Sequence, residues 1–299
     1  MEILDGKLLS CKIKDEVKAQ AASYHQTPIL AVIIIGSNPA NEVYINNKRK
    51  ACEYVGISLL HIRYDESTDE NKIINKIKSL NKDKSINGII VELPIPKKFN
   101  ENNIINSIHP DKDVDGLTNV SKGKLFNGED TFIPCTPLGI LEIFDYYKIN
   151  LEGKHVVIVG RSNLVSKPLF ALCLKRNATV TMCHSKTKDL KKYTRDADIL
   201  IVAVGKKYII DKTMIKKDVI IIDVGINKEG TKIYGDVNPN VKGLASHLTL
   251  VPGGVGPMTV CMLLKNTMKA YLSQIEEEKG KWLWIKQKKE KIIVRNLQF

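Results

Sequence analysis

Short, nearly unbroken apolar runs recur along the chain at Ile29–Ile35, Ile57–Tyr64, Gly88–Val91, His155–Val159, Ala178–Cys183, Ile199–Val204 and Val219–Val224. Continuous rather than alternating hydrophobicity marks strands covered on both faces, so these runs predict parallel strands. Between them, apolar positions repeat with helical spacing over Leu8–Ala22, Asn41–Val55, Asp69–Leu80, Leu138–Tyr147 and Leu164–Arg176. The alternation is that of an α/β fold with right-handed crossovers. It breaks between Pro94 and Pro137, where Pro96, Pro110, Gly116, Gly123, Gly128 and Pro134 punctuate a loop-rich stretch. That break predicts two domains, an N-terminal α/β domain over residues 1–120 and a Rossmann-like domain with a mostly parallel sheet over 121–256, with a cleft between them. A helical pattern over 257–275 is expected to pack back onto the first domain, and 276–299 form a basic extension holding Trp282 and Trp284.

Composition narrows the class. The 299 residues are 43% hydrophobic and 26% charged, the balance of a globular protein, and no apolar run reaches the length of a membrane helix. The segment Met1–Lys7 carries neither a signal-peptide nor a transit-peptide pattern, so a cytoplasmic chain with no membrane partner is expected. The net charge is +13, and falls to about +7 without Lys279–Phe299. No aromatic platform or zinc spacing accompanies the charge, so small polyanionic ligands are a better match than nucleic acid. Six scattered cysteines without a Cys-x-x-Cys pair predict no metal and read as core residues of a reducing compartment.

Chemistry-bearing residues fall in both halves. His155–Pro168 is an apolar strand entering a turn at Gly160 and then a helix, where backbone amides can hold a pyrophosphate. The full G-x-G-x-x-G pattern is absent, because Ser162 and Val165 occupy its second and third glycine positions and Ser166 follows. The next strand ends in Cys183-His184-Ser185-Lys186 instead of the acid that would bond a ribose 2′-hydroxyl. Arg161, Ser185 and the lysines favour a 2′-phosphate, hence NADP over NAD. Val251–Thr259 places Gly253, Gly254 and Gly256 before a helix. In the first half, Asn38-Pro39 reads as an N-cap with proline at the first helical position, which sets Tyr44 and Lys48 one turn apart on one face. Glu92 closes a buried strand at its carboxyl end, and Asp115 follows in the junction loop.

Taken in order, these segments resemble the bifunctional methylenetetrahydrofolate dehydrogenase/methenyltetrahydrofolate cyclohydrolase (FolD) family. The resemblance runs from Leu4-Asp5-Gly6-Lys7 to about Tyr271. It takes in Gly36–Ala40, Tyr44 with Lys48, Leu93–Pro96, Lys112–Gly116, Phe132–Pro137, Gly160–Ser162, Cys183–Thr187 and Pro252–Thr259. It implies NADP-dependent oxidation of 5,10-methylenetetrahydrofolate, hydrolysis of the methenyl product to 10-formyltetrahydrofolate, a homodimer, and a place in one-carbon metabolism feeding purine, methionine and histidine biosynthesis. It implies that 1–120 bind folate and 121–256 bind NADP. Tyr44 would stack on the folate rings, Lys48 would move the cyclohydrolase protons and Asp115 would grip the pterin. Arg161, Ser162 and Ser185 would bind NADP, with Gly160, Ile226 and the Gly253–Gly256 loop completing the cofactor site.

The chain departs from the family pattern at a few positions. Glu92 stands where the family usually has glutamine, Asn41 and Glu42 replace a common Ser-Gln, and Ser166 replaces a glycine. A carboxylate beside Lys48 favours the protonated amine. Dehydrogenase activity is therefore expected to persist while cyclohydrolase activity is reduced or moved in pH. The competing reading is a folate- and nucleotide-binding protein of the same fold without catalysis.

Overall fold

The computed structural model describes the backbone of residues 1–36 and 39–296, and the side chains of 1–36, 42 and 45–277. A parallel three-stranded sheet is built from β2 (Ile29–Ile35), β3 (Ser58–Tyr64) and β4 (Gly88–Val91) in the order β3-β2-β4. β2 is central and apolar at every position, as burial on both faces requires. Leu30, Val32 and Ile34 face the core that includes α1 (Gly6–Ala22) and α2 (Pro39–Val55), and Ala31, Ile33 and Ile35 face Ile73, Ile77 and Leu80 of α3 (Glu70–Lys82). The carboxyl end of α3 is closed by a buried amine, since Lys112 Nζ donates to the carbonyls of Leu80 at 2.9 Å and Asp83 at 2.6 Å.

The larger sheet is parallel throughout and has the order β1-β11-β8-β7-β5-β6. Its strands are β1 (Glu2–Leu4), β5 (His155–Val159), β6 (Thr179–Cys183), β7 (Ile199–Val202), β8 (Ile220–Asp223) and β11 (His247–Thr249). A two-stranded hairpin, β9 (Asn227–Glu229) and β10 (Lys232–Tyr234), follows β8. β5 pairs with β6 on one side and β7 on the other, so strand order reverses there and opens a crevice at the carboxyl ends. α7 (Ser166–Lys175) follows β5 and α8 (Leu190–Thr194) follows β6. The last helix, α9 (Val255–Asn296), packs against α1, α2, α6 (Cys135–Tyr146) and β4.

Two expectations need correction. Residues 2–4, assigned above with the first domain, form the edge strand of the larger sheet, with Glu2, Ile3 and Leu4 opposite His247, Leu248 and Thr249. Three residues are too few to show a period, so nothing local reveals the crossing. The stretch between Pro94 and Pro137 is also less loop-like than its prolines and glycines suggest. It holds α4 (Glu101–Asn106) and α5 (Asn119–Asn127), capped by Asn100 and Thr118. These helices bury only two residues each, leaving no apolar stripe to read. The helix expected over 257–275 starts at Val255 and runs on to Asn296. The Asn38 cap and the side chains of Tyr44, Trp282 and Trp284 lie outside the described residues. Among the described residues no helix is long and apolar enough to cross a membrane.

Candidate active site

α2 buries Ile45, Cys52 and Val55 toward the small sheet, which turns Lys48 toward the carboxyl end of β4. Glu92 extends β4 by one more ladder bond, its N–H donating to the Ile33 carbonyl at 2.8 Å. Lys48 Nζ meets Glu92 Oε2 at 2.6 Å, with the two side chains 19% and 7% exposed. The predicted Lys48–Glu92 pair is thus formed, and it is largely shielded from water.

Asp115, partly exposed, sits in the field of this pair on a loop that is fixed from several sides. The Asp113 carboxylate accepts the N–H groups of Leu117 and Thr118 and the Ser121 hydroxyl at 2.7–3.0 Å. Gly116 has φ +65°, and a Cβ there would lie 2.6 Å from the Phe132 carbonyl oxygen, so only glycine suits the turn. From α9, the Asn266 amide donates to the carbonyls of Val114 at 2.8 Å and Ile133 at 3.0 Å. Burial raises the Asp115 carboxyl to about 6 despite the opposing pull of the Lys48 amine and the Cys135 thiol. Burial, reinforced by Asp115, pushes the Cys135 thiol up, which keeps it protonated. Lys48, Glu92 and Asp115 therefore form one coupled cluster of an amine and two carboxyls.

The family departure at Glu42 has a visible partner. Its carboxylate forms a two-pronged ion pair with Arg63 of β3, at 2.7 and 3.1 Å, tying the start of α2 to the sheet.

The cofactor residues gather at the carboxyl edge of the large sheet. Gly160 has φ +143°, and a Cβ there would stand 2.6 Å from both the Ala203 carbonyl oxygen and the Ser166 hydroxyl. Glycine alone fits because the turn packs against the loop after β7 and the start of α7, the close strand–helix approach on which a dinucleotide turn is built. The Ser162 hydroxyl accepts the N–H groups of Val165 and Ser166 at 3.1 and 3.2 Å, tying the turn to the first residue of α7. The substituted Ser166 is fully buried behind the turn, and its hydroxyl has no hydrogen-bond partner among the described residues. Arg161 donates to the Ser185 hydroxyl at 3.4 Å, joining the two residues predicted to meet a 2′-phosphate. Ile226, Gly253, Gly254 and Gly256 line one cavity with Asp223 and Pro257.

The two sets are connected. Thr259 of α9 bonds Thr136 of α6 at 2.9 Å, and Thr136 follows Cys135, the neighbour of Asp115. The amino-terminal motif also reaches the glycine loop: Lys7 N–H donates to the Gly253 carbonyl at 2.8 Å, and a Cβ on Gly6 would fall 1.9 Å from the Gly254 oxygen. No periodicity points to Asn266 or to the buried acids Asp223 and Asp236. Asn266 stands between Lys265 and Thr267, so no lone polar residue in an apolar run marks it.

A doubly wound sheet with a glycine turn at its switch point, joined to a separate amine–carboxyl cluster, defines a dinucleotide-dependent enzyme with a second, acid–base site. Comparison with known proteins makes the class specific. Residues 4–115 match the model of the tetrahydrofolate dehydrogenase/cyclohydrolase catalytic domain, and 134–275 match that of its NAD(P)-binding domain. A bifunctional FolD protein of Halalkalibacterium halodurans is 48% identical, the match covering 90% of this chain and 98% of the relative. The crystal structure of the bifunctional FolD enzyme of Campylobacter jejuni superimposes with a TM-score of 0.90 at 45% identity, covering 92% of this chain and 99% of that one. The Trypanosoma brucei FolD structure, complexed with NADP and an inhibitor, gives a TM-score of 0.86 at 30% identity, covering 91% and 98%. The chain belongs to the tetrahydrofolate dehydrogenase/cyclohydrolase family.

Proposed function

We propose that the chain oxidises 5,10-methylenetetrahydrofolate with NADP and hydrolyses the methenyl product to 10-formyltetrahydrofolate. The observation that carries this reading is the shielded Lys48–Glu92 pair with Asp115 in its field, linked through Thr136 and Thr259 to the glycine loop of the dinucleotide site. NADP, when bound, supplies the acceptor for the hydride lost from the methylene carbon. The flanking folate nitrogens stabilise the resulting cation, so the protein's task in that step is alignment. The Gly160 turn with Ser162 would hold the pyrophosphate, Arg161 and Ser185 the 2′-phosphate, and Ile226 with Gly253, Gly254 and Gly256 the wall beside them. Tyr44 would stack on the folate, and Asp115, charged above about pH 6, would accept from the pterin.

Hydrolysis asks more of the side chains. Attacking water loses a proton and a ring nitrogen gains one, which needs a titratable group at the site. Lys48 is that group, and Glu92 opposes its use as a base by stabilising the ammonium form. The cyclohydrolase step is therefore slowed, or displaced to higher pH, relative to the dehydrogenase step. Assaying the two half-reactions separately, with NADP and with NAD, tests the whole reading. NADPH formation from methylenetetrahydrofolate together with weak hydrolysis at neutral pH is expected. Absence of NADPH formation by a protein that still binds both ligands would leave a binding protein without catalysis.

The chain acts as a homodimer through the small sheet, whose outer strand β3 pairs on the β2 side alone among the described residues. Residues 5–120 with α9 serve folate, and 121–254 with β1 serve NADP. Its six unpaired cysteines suit a reducing cytoplasm. There the product supplies one-carbon units for purine, methionine and histidine synthesis.

A further inference from the structure

Asp236 is fully buried, directly after the β9–β10 hairpin, and among the described residues no lysine or arginine side chain balances it in its hydrogen-bond shell. Its carboxylate is instead saturated by amides. Oδ2 accepts the N–H groups of Val204 at 2.8 Å and Gly205 at 2.9 Å, while Oδ1 accepts the N–H of Lys206 at 2.8 Å and the side-chain amide of Asn227 at 2.9 Å. Three successive backbone donors converging on one carboxylate fix the loop after β7 as firmly as a bound anion would. The Asp236 N–H in turn donates to Asp223 at 2.9 Å, anchoring the acid to the end of β8.

Both ends of this arrangement touch the cofactor site. Ala203, next to the clamped loop, donates to the Val159 carbonyl at 2.8 Å, and its own oxygen is what a Cβ on Gly160 would strike at 2.6 Å. Asn227 follows Ile226, which lines the cavity shared with Gly253, Gly254 and Gly256. One side chain thus ties the loop behind the Gly160 turn to the Ile226 wall.

We propose that Asp236 is a positioning residue of the dinucleotide cleft, holding its two walls at the separation that binds NADP and leaving the Lys48 cluster untouched. The proposal rests on the NADP-dependent reading given above. Asp236→Asn keeps the shape but turns an amide NH2 toward N–H donors, so two of the four bonds are lost and donors face each other. Asn227→Ala releases the Ile226 wall alone. Neither substitution reaches the residues assigned to hydrolysis.

The test measures NADP dissociation constants by titration calorimetry, KM for NADP, and methenyltetrahydrofolate hydrolysis without NADP, in the intact protein. NADP binding weakens about ten-fold or more in Asp236→Asn and about three-fold in Asn227→Ala, with hydrolysis within about two-fold of the parent in both. If Asp236→Asn does not fold, the Asn227→Ala result decides alone. Unchanged NADP affinity in a folded variant, or hydrolysis falling in step with affinity, overturns the positioning role. Failure of the parent protein to bind NADP would instead overturn the underlying reading.

Discussion

Replacing Glu92 with glutamine isolates the single most consequential departure from the family pattern. The Lys48–Glu92 contact is 2.6 Å long and the carboxylate is 7% exposed, so water screens the pair poorly. Glutamine keeps the side-chain length and one acceptor oxygen, so a neutral hydrogen bond to Lys48 survives. What is lost is the difference between a charge-assisted and a neutral bond, about 1–1.5 kcal/mol. The sign follows from the contact: the carboxylate holds the Lys48 amine in an ion pair, and glutamine releases it for proton transfer.

Hydrolysis of methenyltetrahydrofolate by Glu92→Gln should therefore rise about three- to ten-fold near neutrality. Methylenetetrahydrofolate oxidation should stay within about two-fold, because that step needs alignment rather than a base. Initial rates from pH 6 to 9 for both half-reactions supply the measurement. A variant that hydrolyses no faster than the parent across the range, with oxidation preserved, refutes the claim that Glu92 restrains Lys48.

Other perturbations separate the two sites. Gly160→Ala places a methyl 2.6 Å from the Ala203 oxygen and the Ser166 hydroxyl in a left-handed backbone, so thermal unfolding should show a loss of about 1–3 kcal/mol. NADP binding should disappear in the same variant while hydrolysis continues. Arg161→Ala removes the charge beside Ser185, and KM for NADP should rise about ten-fold or more with KM for NAD nearly unchanged. Asp115→Asn should weaken folate binding at pH 7. Because burial raises this carboxyl from 3.8 to about 6, its stabilising contribution is full below 3.8 and is lost as pH rises through about 6. Denaturant titrations should accordingly show the variant gaining on the parent over that interval, by about 3 kcal/mol.

The scaffold was legible wherever burial imposes a pattern. β2, β4 and β5 have the bounds that their apolar runs predict, because strands covered on both faces have no polar positions to blur them. The crossing of β1 and the three-residue strands β9, β10 and β11 were hidden, since their pairing depends on partners far along the chain. The same distinction divides the site. Lys48, Glu92, Arg161 and Ser185 stand in recognisable motifs, and the fold brings them together in pairs. Asn266 and Asp236 stand in no such pattern, because what makes them functional is the set of backbone groups they satisfy. Those groups belong to residues as distant as Val114 and Val204.

The placement of the two clusters separates the effect expected of a charge at 92 from the dinucleotide cradle. Lys48 and Glu92 belong to α2 and the end of β4, whereas the dinucleotide cradle is built on β5, β7 and β8, with different acids buried in each. Their connection runs through two threonine hydroxyls and the packing of α9, contacts that carry position but no net charge. A charge change at 92 should thus act on proton transfer near Lys48 while the turn at Gly160 keeps its geometry. Selection on oxidation alone would leave Glu92 free to persist, and selection on hydrolysis would act at that position before any in the cofactor lobe.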